Sequence, residues 1–280
     1  MHAPGGEAGR KELMEIQLWR EILEPYALAV DELKVKFEHV QNSYKKAGLY
    51  SPIEQVDGRV KTISSILEKV QKKHISLDDF EAEIDDIAGI RIICQFIEDI
   101  YKVVELIRKR TDMKVVEELD YIKDTKPSGY RSYHMVIKYR VETIHGPKDI
   151  FAEIQIRTLA MNFWATVEHS LQYKYRQNMP ETLRQRLLKA SEAIVVLDRE
   201  MSLVRGEIMD AQNSFTIKSN VVADILTNIQ NLYKVANKRE IIKIQDEFFR
   251  IYESEDLETL QHFAKELDII SEGYRAQSLR

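Results

Sequence analysis

Apolar positions along this chain change their period several times, and each change marks an element. Residues 11 to 47 carry helical spacing in two stretches. Pro25 separates them, because proline removes a backbone donor and obstructs the preceding turn, and Gly48 offers a stop. SPIEQVDG, from Ser51, reads as a connector. Across 59–73 the spacing predicts an amphipathic helix with Ile63, Ile66, Leu67 and Val70 on one face. GIRIICQF, residues 89–96, is apolar and β-branched and predicts a buried strand. A helix over about 98–110 follows, with Ile100, Val103, Val104 and Ile107 in register. KVVEEL is a short strand. The loop from Leu119 to Gly129 feeds the strand RSYHMVIKYRV, HGP marks a turn, IFAEIQIRT (150–158) is a further strand, and 159–177 is helical. This order predicts an α+β domain built on a mixed β-sheet flanked by helices.

Beyond Pro180 the period becomes that of a heptad. Leu183, Leu187, Ala190, Ile194, Leu197, Met201, Val204, Ile208 and Ala211 alternate steps of four and three. A long helix packed on its own domain satisfies that pattern, and so does a subunit interface. Residues 215–280 continue with helical apolar sets such as Val222, Ile225, Leu226 and Ile229, but carry no recognisable motif. The expected organisation is a disordered stretch at 1–10, N-terminal helices at 11–50, a catalytic domain at 51–178, an oligomerisation helix at 179–214 and a helical extension at 215–280.

Composition narrows the class. With 44% apolar and 31% charged residues the 280-residue chain can bury a core, and its net charge of −5 argues against a dedicated duplex-DNA binder. The single cysteine, Cys94, lies in an apolar run and reads as a buried free thiol. One cysteine makes no internal disulfide, so a cytoplasmic, reducing compartment fits. No apolar run approaches the ~20 residues a membrane helix needs, and MHAPGGEAGR lacks the organisation of a signal peptide.

Three groups of residues carry chemistry. Lys61, Ser65 and Lys69 are spaced four apart on the predicted 59–73 helix, with Arg59 at its entrance; such a row suits a polyphosphate, although a solvated basic face has the same pattern. No P-loop and no GxGxxG occurs, so any nucleotide must be held by side chains. On the 150–158 strand, Glu153, Gln155 and Arg157 share one face and Ala152, Ile154 and Ile156 the other. With Asp85 and Asp86 leading into the neighbouring strand, one Asp and one Glu would suit Mg²⁺, and surface ion pairs explain the same residues. The third group is KPSGYRSYH, residues 126–134. There Tyr130 can offer a ring to a base, and Lys126, Arg131 and His134 can meet phosphate or base edges.

GRVKTISSILEK, DIAGIRIICQF, SGYRSYHMVIKY and EIQIRTLAMNFWATVEHSLQYKY, taken together, resemble the RelA/SpoT-type small alarmone synthetases, and EPYALAVDELKVKFE points to the RelQ-like branch. The likeness covers about residues 20–212. It implies a nucleotidyltransferase-like synthetase domain that transfers pyrophosphate from ATP to the 3′-hydroxyl of GDP or GTP, releasing AMP and making ppGpp or pppGpp, the alarmones of the stringent response. By the resemblance, Arg59 and Arg91 sandwich adenine, Lys61, Ser65 and Lys69 hold the ATP phosphates, and Asp86 and Glu153 bind Mg²⁺ as the catalytic pair. Tyr130 stacks on guanine, Lys126, His134, Gln155 and Asn162 complete the acceptor site, and Arg157 supports it. Larger relatives add a His-Asp metal hydrolase; none of the seven histidines here is followed by Asp, so synthesis without degradation is expected.

The branch also implies a homotetramer with a product-binding activator site that uses a basic and an aromatic residue. Here Glu38 and Gln55 stand at those positions with Asp57 nearby, and acids repel a polyanion, so the departure leaves open whether the alarmone activates this chain. An RNA regulator is a further partner for the branch. Two other functions share parts of the pattern. One is a toxin-type relative that pyrophosphorylates the tRNA 3′ end, which the acidic net charge disfavours; the other is a non-catalytic nucleotide- or RNA-binding module, which has no need of both carboxylates.

Overall fold

A computed structural model of the chain describes residues 6–175, 179–234, 236–254 and 256–278. They divide into two compact units, Met1–Ser202 and Leu203–Arg280.

The first unit opens with α1, a single helix from Gly6 to Lys46. Pro25 lies inside it rather than between two helices. An interior proline costs about 3 kcal/mol, whereas Tyr26, Ala29, Val30, Leu33 and Phe37, following it at helical spacing, are all buried. Fully burying one large apolar side chain is worth roughly 1.5–3 kcal/mol, so the packed face outweighs the proline. Of the stretch expected to be disordered, residues 6–10 belong to this helix, and 1–5 lie outside the described residues.

The second difference from expectation is β1, Gln55–Val60, where the sequence reads as a connector running into a helix. QVDGRV has little strand propensity; its pairing with β2 (Ala88–Cys94) supplies what propensity does not. Gly58 also lets the strand pass close to α1, since a Cβ there would sit 2.6 Å from Val30 Cγ1. The helix that follows, α2, therefore begins only at Ile63 and runs to Lys73, with Thr62 as its N-cap. Next come α3 (Phe80–Glu83), α4 (Ile97–Arg108), β3 (Lys114–Asp120), β4 (Tyr133–Thr143), β5 (Gly146–Thr158) and α5 (Leu159–Tyr175).

The five strands form one mixed sheet in the order β1-β2-β5-β4-β3, with β2 and β5 parallel and the other neighbours antiparallel. One sheet face is core: Ile90 and Ile92, Ala152, Ile154 and Ile156, and Met135 and Ile137 are all essentially inaccessible. Cys94 is fully buried among them, and burial pushes its thiol pKa up. No helix among the described residues is long and apolar enough to cross a membrane.

After Pro180 a single helix, α6, runs from Glu181 to Leu232, so the boundary expected at 214/215 falls inside it. Within the first unit α6 is held by polar groups. Trp164 Nε1 donates to Leu187 O, Ser191 Oγ to Gly129 O, Thr158 Oγ1 to Asp198 Oδ2, and Ser202 Oγ to Glu98 Oε2. Of the heptad seam, Ile194 packs against the core, whereas Leu197, Met201, Val204 and Ile208 are 45–52% exposed. The second unit comprises the rest of α6 with α7 (Lys238–Glu253) and α8 (Leu257–Ser278) around a core of Ile225, Ile229, Ile241, Phe248, Leu260 and Leu267.

Candidate active site

The sheet face opposite the core carries polar side chains in rows, because alternate residues of a strand share a face. At one level the register sets Asp57 beside Arg91, Arg91 beside Gln155, and Gln155 beside His134. At the next it sets Arg59 beside Gly89 and Gly89 beside Glu153. Gly89 adds no side chain, which leaves room between Arg59 and Glu153. Two cavities open on this face. One, of about 290 Å³, is bordered by Asp57, Arg59, Asp86, Arg91, Glu153 and Gln155. The other, of about 350 Å³, is bordered by Tyr130 and Arg157 and by Thr166, Glu168 and His169 of α5. Arg59, Arg91 and Gln155 border both.

Cations and carboxylates are paired across the first cavity. Asp86 Oδ2 lies 2.6 Å from Lys61 Nζ, and its Oδ1 2.8 Å from Lys69 Nζ, which also reaches Asp85 at 3.4 Å. Lys61 thus precedes α2 rather than riding on it, yet it still converges with Lys69. Burial alone would raise the Asp86 pKa; the hydrogen bonds and charges of Lys61 and Lys69 outweigh it and hold the group below the ordinary carboxylate range. Burial likewise works against the Lys69 charge, and Asp86 more than offsets it, so the ammonium is raised. Glu153 behaves as Asp86 does: burial and the Asp86 charge raise its pKa, but bonds from His134 and Gln155 prevail and it is lowered. Both carboxylates are therefore ionised at neutral pH.

Arg59, Arg91 and Arg157 bring three guanidinium groups to this face. Burial, then the charges of Arg157 and Arg59, push the Arg91 pKa down, and its Nε is buried with no protein partner. Guanidinium planes crowded in this way suit a flat aromatic ligand, on which arginine stacks, as well as an anion.

The Tyr130 ring borders the second cavity with its hydroxyl engaged. It lies 2.8 Å from His134 Nε2 and accepts from Arg157 Nη2. Lys126 Nζ is 5.0 Å, and Arg157 Cζ 5.1 Å, from the ring centroid. Lys126 also sits 4.1 Å over Tyr121, an aromatic partner that sequence reasoning missed.

Three sequence-derived positions fall elsewhere. Ser65 is tied into the α2 cap, accepting from Thr62 Oγ1 at 2.9 Å, and borders neither cavity. Asn162 borders neither, although its Oδ1 is buried and without a partner. Arg131 turns away to donate to Ile122 O. In the other direction, Asp57 lines the first cavity and accepts from Gln55 Nε2. Thr166 and His169 on α5 were signalled only by their i, i+3 spacing directly after β5.

A profile described as a region found in RelA/SpoT proteins matches residues 58–178. The chain is 52% identical over 205 residues to the GTP pyrophosphokinase YjbM of Bacillus subtilis, covering 73% of this chain and 97% of that one. It is 39% identical over 192 residues to the GTP pyrophosphokinase YwaC of the same organism, covering 68% and 91%. Among solved structures, small alarmone synthetase 1 from Bacillus subtilis bound to its product pppGpp superposes with a TM-score of 0.67 at 53% identity, over 69% of this chain and 98% of that one. A GTP pyrophosphokinase family protein from Streptococcus pneumoniae gives 0.67 at 49% identity, over 69% and 96%. The fold and site thus define a transferase of the pyrophosphokinase class. The chain belongs to the RelA/SpoT family, as a small alarmone synthetase of the RelQ-like branch.

Proposed function

We propose that the protein transfers pyrophosphate from ATP to the 3′-hydroxyl of GDP or GTP, giving AMP and ppGpp or pppGpp, without hydrolysing the product, in a cytoplasmic setting. The observation that carries this reading is the cavity where ionised Asp86 and Glu153 face Arg59 and Arg91. Adenine lies between Arg59 and Arg91, and Lys61 and Lys69 leave Asp86 for the ATP phosphates. Guanine stacks on Tyr130, displacing one of the two cations over its ring, while Lys126, His134 and Gln155 border the acceptor. Ser65 and Asn162 have weaker support: Lys61, Lys69, Lys126 and His134, which also border neither cavity, each touch a side chain that does, whereas Ser65 is bonded to Thr62 and Asn162 Oδ1 has no partner.

Among the described residues no cluster of three or more His, Cys, Asp or Glu could hold a metal by itself. Two carboxylates on one cavity suit Mg²⁺, which is commonly held by one or two carboxylates together with substrate phosphates and water. The ion would be held by Asp86 and Glu153, and when bound it supplies neutralisation of phosphate charge. The chain's own residues do the remainder. ATP and GDP bring five phosphoryl groups into one cleft, so their repulsion opposes reaction; the lysines and arginines offset it, and the two base sites fix the line of attack. Glu153 accepts and orients the proton of the attacking hydroxyl.

Self-association through the exposed heptad seam, as a tetramer, completes this reading. Gln55 is bonded to Asp57 and Glu38 is paired with Lys34 at 3.8 Å, so neither supplies the cation or ring of the branch's alarmone activator site, and whether the alarmone activates this chain is a separate question.

Radiolabelled ATP incubated with GDP, with GTP and with tRNA tests the assignment. Label is expected in a guanosine tetra- or pentaphosphate with equimolar AMP, and not in tRNA, and added ppGpp should persist. Asp86→Asn and Glu153→Gln should each lower the rate at least about a hundredfold while the protein stays folded. Label in tRNA alone would favour the toxin-type activity, and full function in both variants a non-catalytic nucleotide sensor.

A further inference from the structure

Glu153 and Arg157 are joined by two separate hydrogen-bonded arms. The shorter arm runs along β5: Arg157 Nη2 donates to Gln155 Oε1 at 2.6 Å, and Gln155 Nε2 donates to Glu153 Oε2 at 2.7 Å. The longer arm leaves the strand. Arg157 Nη2 donates to Tyr130 Oη, Tyr130 Oη lies 2.8 Å from His134 Nε2, and His134 Nδ1 lies 2.8 Å from Glu153 Oε1. Guanidinium nitrogens only donate and an ionised carboxylate only accepts, so for a neutral imidazole at His134 the direction of every bond follows. Along the longer arm the Tyr130 hydroxyl must donate to Nε2, and His134 must carry its proton on Nδ1. With the proton on Nε2 instead, Nδ1 would set a lone pair against a carboxylate oxygen.

His134 is 9% exposed, fixed on β4 opposite Gln155, so it is a rigid link rather than a surface side chain. Among the described residues it is also the one bonded both to the carboxylate on the first cavity and to the ring on the second. We propose that His134 is a positioning residue that couples the two cavities: through Nε2 it holds the Tyr130 ring against which the acceptor base stacks, and through Nδ1 it holds the carboxylate that receives the hydroxyl proton. This rests on the two-nucleotide reading of the cleft, and it adds an internal role to the place beside the acceptor already proposed for His134.

The two bonds can be removed one at a time. An asparagine amide occupies roughly the place of Nδ1 and a glutamine amide roughly that of Nε2. Losing one well-placed bond corresponds to about a tenfold effect. His134→Asn should therefore raise the GDP KM about tenfold and change kcat less. His134→Gln should lower kcat about tenfold and change the GDP KM less. Tyr130→Phe, which cuts the same link as His134→Asn, should add little to it in the double variant. The native chain supplies a readout that needs no turnover: with ¹⁵N-labelled histidine, the ring nitrogens of His134 should show the Nδ1–H tautomer by NMR. An Nε2–H tautomer overturns the proposal whatever the enzyme does, and so does an equal loss of kcat and KM in both variants. A chain with the Nδ1–H tautomer that makes no alarmone would leave the linkage standing and refute the proposed reaction instead.

Discussion

Gly129 shows how narrowly one residue can be constrained. Its φ is +88°, a region L side chains avoid, and a Cβ there would lie 2.8 Å from Ser191 Cβ. Its carbonyl accepts the Ser191 hydroxyl, so α6 fixes the backbone immediately before Tyr130. Gly129→Ala should cost about 1–3 kcal/mol, read from the urea midpoint, and should raise the acceptor KM because Tyr130 is the next residue. In the sequence this glycine signals a turn, and nothing there signals a contact 62 residues away. The same contrast runs through the site. Glu153, Gln155 and Arg157 were legible because a strand's period of two puts them on one face. Asp57 was not, because a strand carrying Asp and Gly lacks a strand's composition. Ser65 shared a predicted helix face with Lys61 and Lys69, but a cap hydrogen bond claimed its side chain.

Elements were read most securely where their own pattern was strong. The buried strand at β2, the β4–β5 hairpin and α4 appear within a few residues of expectation, apart from the longer start of β5. Misreadings fell where packing overruled local preference, at Pro25 within α1 and at β1. The docking of α6 on the end of β5 adds a pH dependence that no local pattern reveals. Burial, with the Glu98 charge adding to it and the Thr158 bond opposing, pushes the Asp198 carboxyl up to about 6. The native state therefore holds this proton more tightly than the unfolded chain, where the pKa is about 4. Between those values the native state binds more protons, so this residue's contribution to stability falls as pH rises from about 4 to 6. Asp198→Asn should thus stabilise the protein at pH 7.5, by on the order of 1–2 kcal/mol after solvent screening. At pH 4 that advantage should shrink toward zero, and thermal unfolding at the two pH values checks the sign.

For the whole molecule, the exposed seam on α6 is the feature that most demands a partner. Leu197 and Met201 are 49% and 45% exposed on a helix whose polar side already holds the domain. Light scattering should find a multiple of 32.8 kDa, and Leu197→Glu combined with Met201→Glu should return the mass toward that value; a monomeric parent protein would show that the seam is no interface. The heptad was visible in sequence, but where it leaves the domain was not: Ile194 of the seam packs on the core, and Ser191, Asp198 and Ser202, which also meet the domain, give no apolar signal. The second unit was legible only as helices. YjbM matches 73% of this chain and gives no guide to the remainder.

The partition between the two cavities carries a consequence for how the enzyme is measured. Arg59, Arg91 and Gln155 wall both compartments, so on the proposed two-nucleotide reading the first nucleotide to bind meets side chains that the second must also meet. If the first changes the affinity for the second, reciprocity requires the second to change the affinity for the first by the same factor. A dissociation constant taken with one compartment vacant belongs to a different enzyme from the one that turns over, and losses in an Arg91 variant will divide between donor and acceptor.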